Sequence, residues 1–430
     1  VSQEAVYALL ARILQGIMML VVGVTVIWRL SPDEQGYFFS FMSFGALLQM
    51  ADLGISYAVL HQANHLASIG QTSRLHGLFS RAIGLNCKSS LAFSSLVCLG
   101  GVLIFSAAQQ TPEITRIVWL HPWLAFVGAM FLAQLIVPGI AFVEGGVSAV
   151  AAWRFRFYQE LLSGPILVLC LAYGFGLWSL AAFWIFRFAL SAIWLWRNKP
   201  RSNNTTAFGY REWYQEVWPF QWKIGLSALN GFLVFQAINP IVLAEQGPTV
   251  AGQFGFSLAI MNMVLMVTTV WPISKAAHYG NLISTKQFDT LRHGFWQVTL
   301  PSSLLALCAA LGISIVLGCL TILKVPHLDR LADWLTTSTL LAAAVVHHIV
   351  HCCAVVLRAE RREPLLLINI IGGILTVFAL WLSARFGNPH AIAATNLCCT
   401  LAGLLLVYFI FRRRMAFWRA TQAPLAESRP

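Results

Sequence analysis

Apolar residues fill this chain in long runs separated by short polar breaks. Twelve runs can be placed. The first six cover 5–28, 37–60, 82–106, 117–140, 157–174 and 177–196. The second six cover 217–243, 250–273, 296–323, 334–357, 364–384 and 390–411. Many hold about 20 residues, the length that carries a helix across roughly 30 Å of hydrocarbon. Lipid offers the backbone no hydrogen-bond partner, so these runs are predicted to be helices. The alternation expected of barrel strands is absent. The connections are short. None houses a soluble domain or carries a soluble enzyme's catalytic motif.

The stretch from Leu30 to Ser56, LSPDEQGYFFSFMSFGALLQMADLGIS, organises the pattern. Ser31 to Glu34 reads as a periplasmic turn between two runs, and Gly36 with its aromatics opens the second. The stretch recurs: Ser31 to Phe38, SPDEQGYF, aligns with Gly247 to Phe254, GPTVAGQF, at an offset of 216. The same offset carries Glu144 onto Glu360. Phe175-Gly176 and Phe386-Gly387 open the sixth run of each half. The chain thus reads as a duplication: an N-terminal six-helix lobe (1–200), a cytoplasmic interlobe linker (201–216), and a C-terminal six-helix lobe with a short basic tail (217–430). An even number of spans inserts both halves in the same sense. They are expected to be related by a pseudo-twofold axis along the membrane normal, with any substrate site between them near the midplane. The fold class is therefore all-α integral membrane, with twelve transmembrane helices in two lobes.

Charge fixes an expected orientation. Of the 28 Lys and Arg residues, most fall on one set of loops and span edges, among them Arg74, Arg81, Lys88, Arg154, Arg156, Arg197, Arg211, Lys275, Arg361 and Arg412 to Arg414. Arg29, Arg116, Lys324, Arg330 and Arg385 fall on the other. The rule that positive loops stay inside places both termini in the cytoplasm. The net charge of +12 is then a topology signal and a contact with anionic lipid heads, not a nucleic-acid footprint. Only 10% of residues are charged, against roughly 25% in soluble domains. Most of the nine cysteines lie inside apolar runs and no CxxC pair occurs, so they read as small buried hydrophobes rather than a disulfide or zinc framework. Many of the sixteen tryptophans mark run ends, as interfacial aromatics do. The chain begins with Val1, so its start reads as trimmed or unusual, and no cleavable signal peptide is evident.

Two six-span halves, the LSPDEQGYFF segment before the second span, and FVEGG (Phe142 to Gly146) closing the fourth resemble the O-antigen type polysaccharide flippases. These belong to the multidrug/oligosaccharidyl-lipid/polysaccharide (MOP, MATE-like) exporter superfamily. The resemblance implies two helix bundles around a cavity that opens alternately to each side. It also implies a cargo of undecaprenyl-diphosphate-linked oligosaccharide, moved toward the periplasm. The two extra C-terminal spans of the peptidoglycan-precursor branch are missing, which disfavours lipid II.

Ionisable groups at membrane depth cost roughly 2.5–3.5 kcal/mol each on insertion and so face protein or a wet cavity. Span one aligns Glu4, Ala8, Arg12, Gln15 and Gly16 on one stripe. Arg12 could hold a diphosphate or an acidic sugar, because a guanidinium fork matches phosphate oxygens; otherwise it pairs with Glu4 or Asp52, or snorkels. Span two aligns Ser40, Ser43, Gln49, Asp52 and Ser56, and Asp52 reads as an ion-coupling site or a counter-ion. Arg187 in span six faces the cavity or braces the bundle. Lys223, Ser227 and Asn230 align in span seven, where Lys223 echoes Arg12. His347 and His351, one turn apart with His348 between them, suit sugar contacts or helix–helix hydrogen bonds. A metal site is not expected there, since no Glu-x-x-His pattern accompanies them. Glu144 and Glu360 are candidate gating residues or simple loop ion pairs.

These readings point first to a flippase for lipid-linked oligosaccharide in the bacterial inner membrane. Arg12, Gln15, Arg187, Lys223, Ser227, Asn230, His347 and His351 would line its cavity. No cofactor is expected. Its partners would be the polyprenyl-diphosphate-linked glycan, membrane lipids, and a polysaccharide polymerase and glycosyltransferases, with no nucleic acid. The alternative is a cation-coupled multidrug antiporter of the same superfamily. A membrane-embedded glycosyltransferase or polymerase lacks support, because neither an acidic catalytic pair nor a long extramembrane loop is present.

Overall fold

The computed structural model describes residues 3–109, 117–198, 209–219, 221–222, 225–226, 236–359 and 365–420. Among these, eleven helices are long and apolar enough to cross a membrane. The elements are α-helical with short 3₁₀ and π turns. The protein is a multi-pass membrane protein. In chain order the helices are α1 (Gln3–Arg29), α2 (Pro32–Leu48), α3 (Ile55–Ser68), α4 (Thr72–Ala108), α5 (Leu120–Gly146), α6 (Ala149–Ala172) and α7 (Trp178–Asn198), then α8 (Ile238–Gln246), α9 (Pro248–Ser274), α10 (Ala276–Ser284), α11 (Phe288–Ile322), α12 (Trp334–Arg358), α13 (Leu366–Phe386) and α14 (Pro389–Ala420). Eleven of the twelve expected runs are met by these helices. The seventh, 217–243, lies partly outside the described residues. What is described there is a short helical segment from Tyr210, a π turn at Trp213–Val217, and α8.

Two expectations change. The segment Ser31 to Glu34 is not a free turn but the start of a helix. Ser31 is its N-cap, with Oγ accepting from the Glu34 backbone N–H at 3.2 Å, and the Glu34 carboxylate accepts from the Ser31 N–H at 3.0 Å. Pro32 occupies the first helical position, where its missing N–H costs nothing. The second span, moreover, is not one helix. A 3₁₀ turn at Gln49–Asp52 ends α2. Leu53 (φ 46°) and Gly54 (φ 79°) then take left-handed backbone before α3 begins. Leucine in that region is uncommon and costs strain.

The chain divides into two compact units, Val1–Gly255 and Phe256–Pro430. In the first, small residues let helices approach closely, as they do in membrane proteins generally. A Cβ on Gly164 of α6 would lie 2.6 Å from Met18 of α1. A Cβ on Gly145 of α5 would lie 2.2 Å from the Leu60 carbonyl oxygen of α3. The FVEGG segment is therefore a packing device: Phe142 and Val143 are fully buried beside it. Where α2, α4 and α5 meet, Phe41, Phe44, Phe105, Trp123 and Phe126 form one aromatic cluster with ring centroids 5.0–5.8 Å apart.

The echo segment packs on the stretch it echoes. The Gln35 side-chain amide donates to the Gly252 carbonyl at 2.9 Å, and the Thr249 hydroxyl donates to Asp33. A Cβ on Gly36 would sit 2.0 Å from the Pro248 carbonyl oxygen, and one on Gly252 would sit 3.0 Å from the Gly36 nitrogen. Residues separated by the repeat offset thus touch one another.

The described part of the interlobe segment also belongs to the first unit. Trp213 and Val217 are buried against Ile55, Val59, Leu75 and Leu78 of α3 and α4. The Arg81 guanidinium lies 3.5 Å from the Tyr210 ring centroid. Lys88 and then Arg81 hold the Tyr210 phenol below its ordinary pKa.

The second unit has its own core, in which Tyr279, Leu291, Phe295, Val356, Phe411 and Trp418 are buried together. The Phe288 and Trp418 rings stack within 4° of parallel.

Candidate functional site

The polar side chains that the sequence places at membrane depth gather in three places. The first is the seam of α1, α6 and α7. The Tyr7 ring faces Phe157 at 6.2 Å, and Met18 sits over Gly164. Along their helices Arg12 falls between Tyr7 and Met18, on a different side of α1 from those two, and Glu160 falls between Phe157 and Gly164. Glu160 pairs across to α7, where Arg187 Nη2 lies 2.9 Å from its Oε1. The Arg187 guanidinium also donates to Ser163 Oγ at 3.1 Å and Gln159 Oε1 at 3.2 Å. The Gln159 amide in turn donates to Ser191 Oγ at 2.7 Å. Glu160 and Gln159 escaped the sequence reading. Their signal was a polar pair facing Arg187 in the neighbouring run, visible only once helix pairing is known. Arg12 is half-buried and has no carboxylate in ion-pair reach among the described residues. Gln15, one turn on, is exposed.

The second place is the break in span two. Both Asp52 oxygens accept from the Ser56 backbone N–H, at 3.1 and 3.0 Å, and Oδ1 accepts from Ser56 Oγ at 2.7 Å. The carboxylate therefore caps the first turn of α3 and lies at its positive end. From the seventh span, Gly225 closes on the break, where a Cβ would come within 2.9 Å of the Leu53 carbonyl oxygen.

The third place is in the second unit. His348 is fully buried, with Nε2 3.0 Å from Ser302 Oγ and 3.5 Å from Cys352 Sγ. Ser302 donates its hydroxyl proton to the Val298 carbonyl at 2.8 Å, so its oxygen accepts from His348 Nε2–H. The lone pair then lies on Nδ1. That atom is buried without a partner among the described residues, as is Nε2 of His351. His347 and His351 are half-buried.

Glu144 lies 2.6 Å from Arg156 of α6. The contact is a charge pairing not aligned as a hydrogen bond, since the same oxygen has no hydrogen-bond donor among the described residues. Lys223, Ser227, Asn230 and Glu360 fall outside the described residues.

Neither a family model nor a curated protein sequence matches the chain. Solved structures do. An inward-facing multidrug resistance MATE transporter of the MOP superfamily matches with a TM-score of 0.71 at 11% identity, covering 95% of this chain and 96% of that one. The lipid II flippase MurJ, in an inward closed conformation, matches with a TM-score of 0.65 at 11% identity, over 95% of this chain and 87% of its own. The Vibrio cholerae MATE transporter VcmN matches with a TM-score of 0.58 at 14% identity, covering 96% of each chain. The chain therefore has the fold of the MATE transporters, twelve helices in two lobes, which the MurJ flippase shares over 87% of its length.

Proposed function

We propose that this protein is a transporter of the MOP superfamily type that flips a polyprenyl-diphosphate-linked oligosaccharide across the bacterial inner membrane by alternating access. One observation carries the choice of cargo. Of the two guanidinium groups within the spans of the first unit, Arg187 is paired with Glu160 and Arg12 has no carboxylate in ion-pair reach among the described residues. Arg12 is thus a cation without a paired anion among the described residues. Asp52, the other deep acid in this unit, is engaged with Ser56. A cation in a low-dielectric setting favours an anionic ligand, and a guanidinium suits phosphate oxygens.

In this reading the diphosphate enters from the cytoplasmic side and meets Arg12, Arg187 and Lys223. The glycan contacts Gln15, Ser227, Asn230, His347 and His351, while the polyprenyl tail stays in lipid. Asp52 serves as coupling site or counter-ion, and Glu144 and Glu360 act at the gate. Reorientation moves the head group with no covalent chemistry and no cofactor. Glycosyltransferases would supply the cargo and a polymerase would consume it. Both termini lie in the cytoplasm.

The second reading is a cation-coupled multidrug antiporter, favoured by the MATE likeness itself. That activity calls for acids free to take a cation; Glu160 is paired with Arg187, which leaves Asp52 as the acid that could serve it.

The test is reconstitution. Proteoliposomes holding a fluorescent undecaprenyl-diphosphate oligosaccharide are challenged with dithionite, and separate vesicles are loaded with ethidium. Wild type is expected to flip the lipid, and Arg12→Glu to lose that activity while its melting temperature holds. Ethidium transport with no lipid flipping would establish the antiporter instead.

A further inference from the structure

The Glu160–Arg187 pair has properties that stability alone does not explain. A carboxylate and a guanidinium taken out of water lose hydration that their attraction barely returns, and an apolar pair of similar size would hold two helices as well. The contact is also one-pronged. Only Nη2 reaches Oε1, and it shares that proton-rich edge with Gln159. The remaining Arg187 bond goes to Ser163, a neutral oxygen. A guanidinium reaches its full strength when two parallel N–H groups meet two anionic oxygens, which a phosphate supplies and this carboxylate does not. The pair is not sealed, either: the Arg187 and Glu160 side chains keep 17% and 19% of their exposure. Arg12 of α1 is a further guanidinium without a carboxylate partner among the described residues.

We propose that Glu160 is a built-in counter-anion for Arg187, displaced from the guanidinium when a lipid-borne phosphate binds it. This rests on the anionic-headgroup reading above. It makes Glu160 a specificity residue: the carboxylate keeps Arg187 neutralised and oriented between cargoes, and sets a threshold that only a doubly engaging phosphate passes. Gln159, Ser163 and Ser191 hold the guanidinium in place during the exchange, because their bonds to it and to one another do not involve the Glu160 carboxylate.

The full chain in phosphatidylcholine nanodiscs is titrated with three probes: an undecaprenyl-diphosphate disaccharide, phosphatidylglycerol and inorganic pyrophosphate. Glu160→Gln removes the competing charge but keeps a carbonyl acceptor, and is expected to bind the diphosphate lipid about 1.5- to fivefold tighter than wild type, the range for a partly screened ion pair. Glu160→Asp withdraws the carboxylate by one methylene and is expected to tighten binding in the same direction, so a poorly folding glutamine variant does not leave the idea untested. Arg187→Gln is expected to lose the gain when combined with Glu160→Gln. Unchanged or weaker affinity in both Glu160 variants, with melting temperatures near wild type, would overturn the inference and leave a structural pair. Tightening for pyrophosphate alone would also overturn it, since the displacing anion would then not be lipid-borne. Tightening for phosphatidylglycerol supports displacement and names bulk phospholipid as a source. Should wild type bind none of the three, the anionic-headgroup reading itself fails, whatever the variants do.

Discussion

Gly36→Ala tests the contact between the repeated segments. The added methyl would sit 2.0 Å from the Pro248 carbonyl oxygen, 2.6 Å from its carbon and 2.8 Å from its Cα. All three are backbone atoms, so no side chain can swing away. Relief to an ordinary contact near 3.4 Å requires α2 and the start of α9 to part by roughly 1.4 Å, and overpacking of this kind costs about 1–3 kcal/mol. The same separation stretches the 2.9 Å bond from Gln35 to the Gly252 carbonyl past useful length. Its loss adds about 1 kcal/mol. The expected destabilisation is therefore about 2–4 kcal/mol. It is read from SDS unfolding in mixed micelles followed by far-ultraviolet circular dichroism. Gly252→Ala, whose Cβ would meet Gly36 N at 3.0 Å, should fall between Gly36→Ala and wild type. Gly84→Ala, with nothing within 4 Å of its Cβ, should be neutral or slightly stabilising through better helix propensity. A Gly36→Ala protein that unfolds alongside Gly84→Ala would refute the close crossing.

Three further substitutions bear on the polar sites. Asp52→Ala deletes every acceptor for the Ser56 N–H and hydroxyl and should cost about 1 kcal/mol in the same unfolding assay, with Asp52→Asn recovering part of it; equal midpoints for all three proteins would show that the carboxylate does not cap α3. Ser302→Ala strands the buried His348 Nε2–H and should cost about 1–3 kcal/mol, whereas His348→Ala combined with it should cost less than the two single effects added. Simple additivity would mean the two side chains do not share a bond. Glu144→Gln breaks a partly exposed ion pair and should change stability by about 1 kcal/mol or less. A larger loss, cured by exchanging the charges between Glu144 and Arg156, would assign the pair a heavier structural role than its exposure implies.

Which parts of this molecule were legible from the chain follows from the range of each interaction. Helix count and placement depend on apolar run length alone, because lipid forces every backbone group to pair within its own segment. The runs at 5–28, 82–106 and 334–357 accordingly lie within one of the observed helices each. Helix starts beyond the bilayer were less legible. The helix α4 begins at Thr72 and α6 at Ala149, because once water is available a polar sequence can continue a helix that hydropathy has stopped marking. The duplication was legible too, since an offset of 216 needs no coordinates.

Tertiary structure decided what the polar residues do. Arg12 and Arg187 look alike in sequence, yet one is neutralised by Glu160 and the other is not, and that difference depends on which helix faces which. Asp52 reads as a lone acid in an apolar run until the left-handed Leu53–Gly54 break gives it a helix end to cap. The stretch from Ser31 to Phe38 showed its likeness to Gly247–Phe254 from sequence alone. Their mutual contact, with Gly36 against Pro248, is a fact of three-dimensional packing. Hydropathy sums over one helix and survives without neighbours. An ion pair, a cap or a backbone crossing needs a specific partner within about 3 Å, and only the folded chain supplies it.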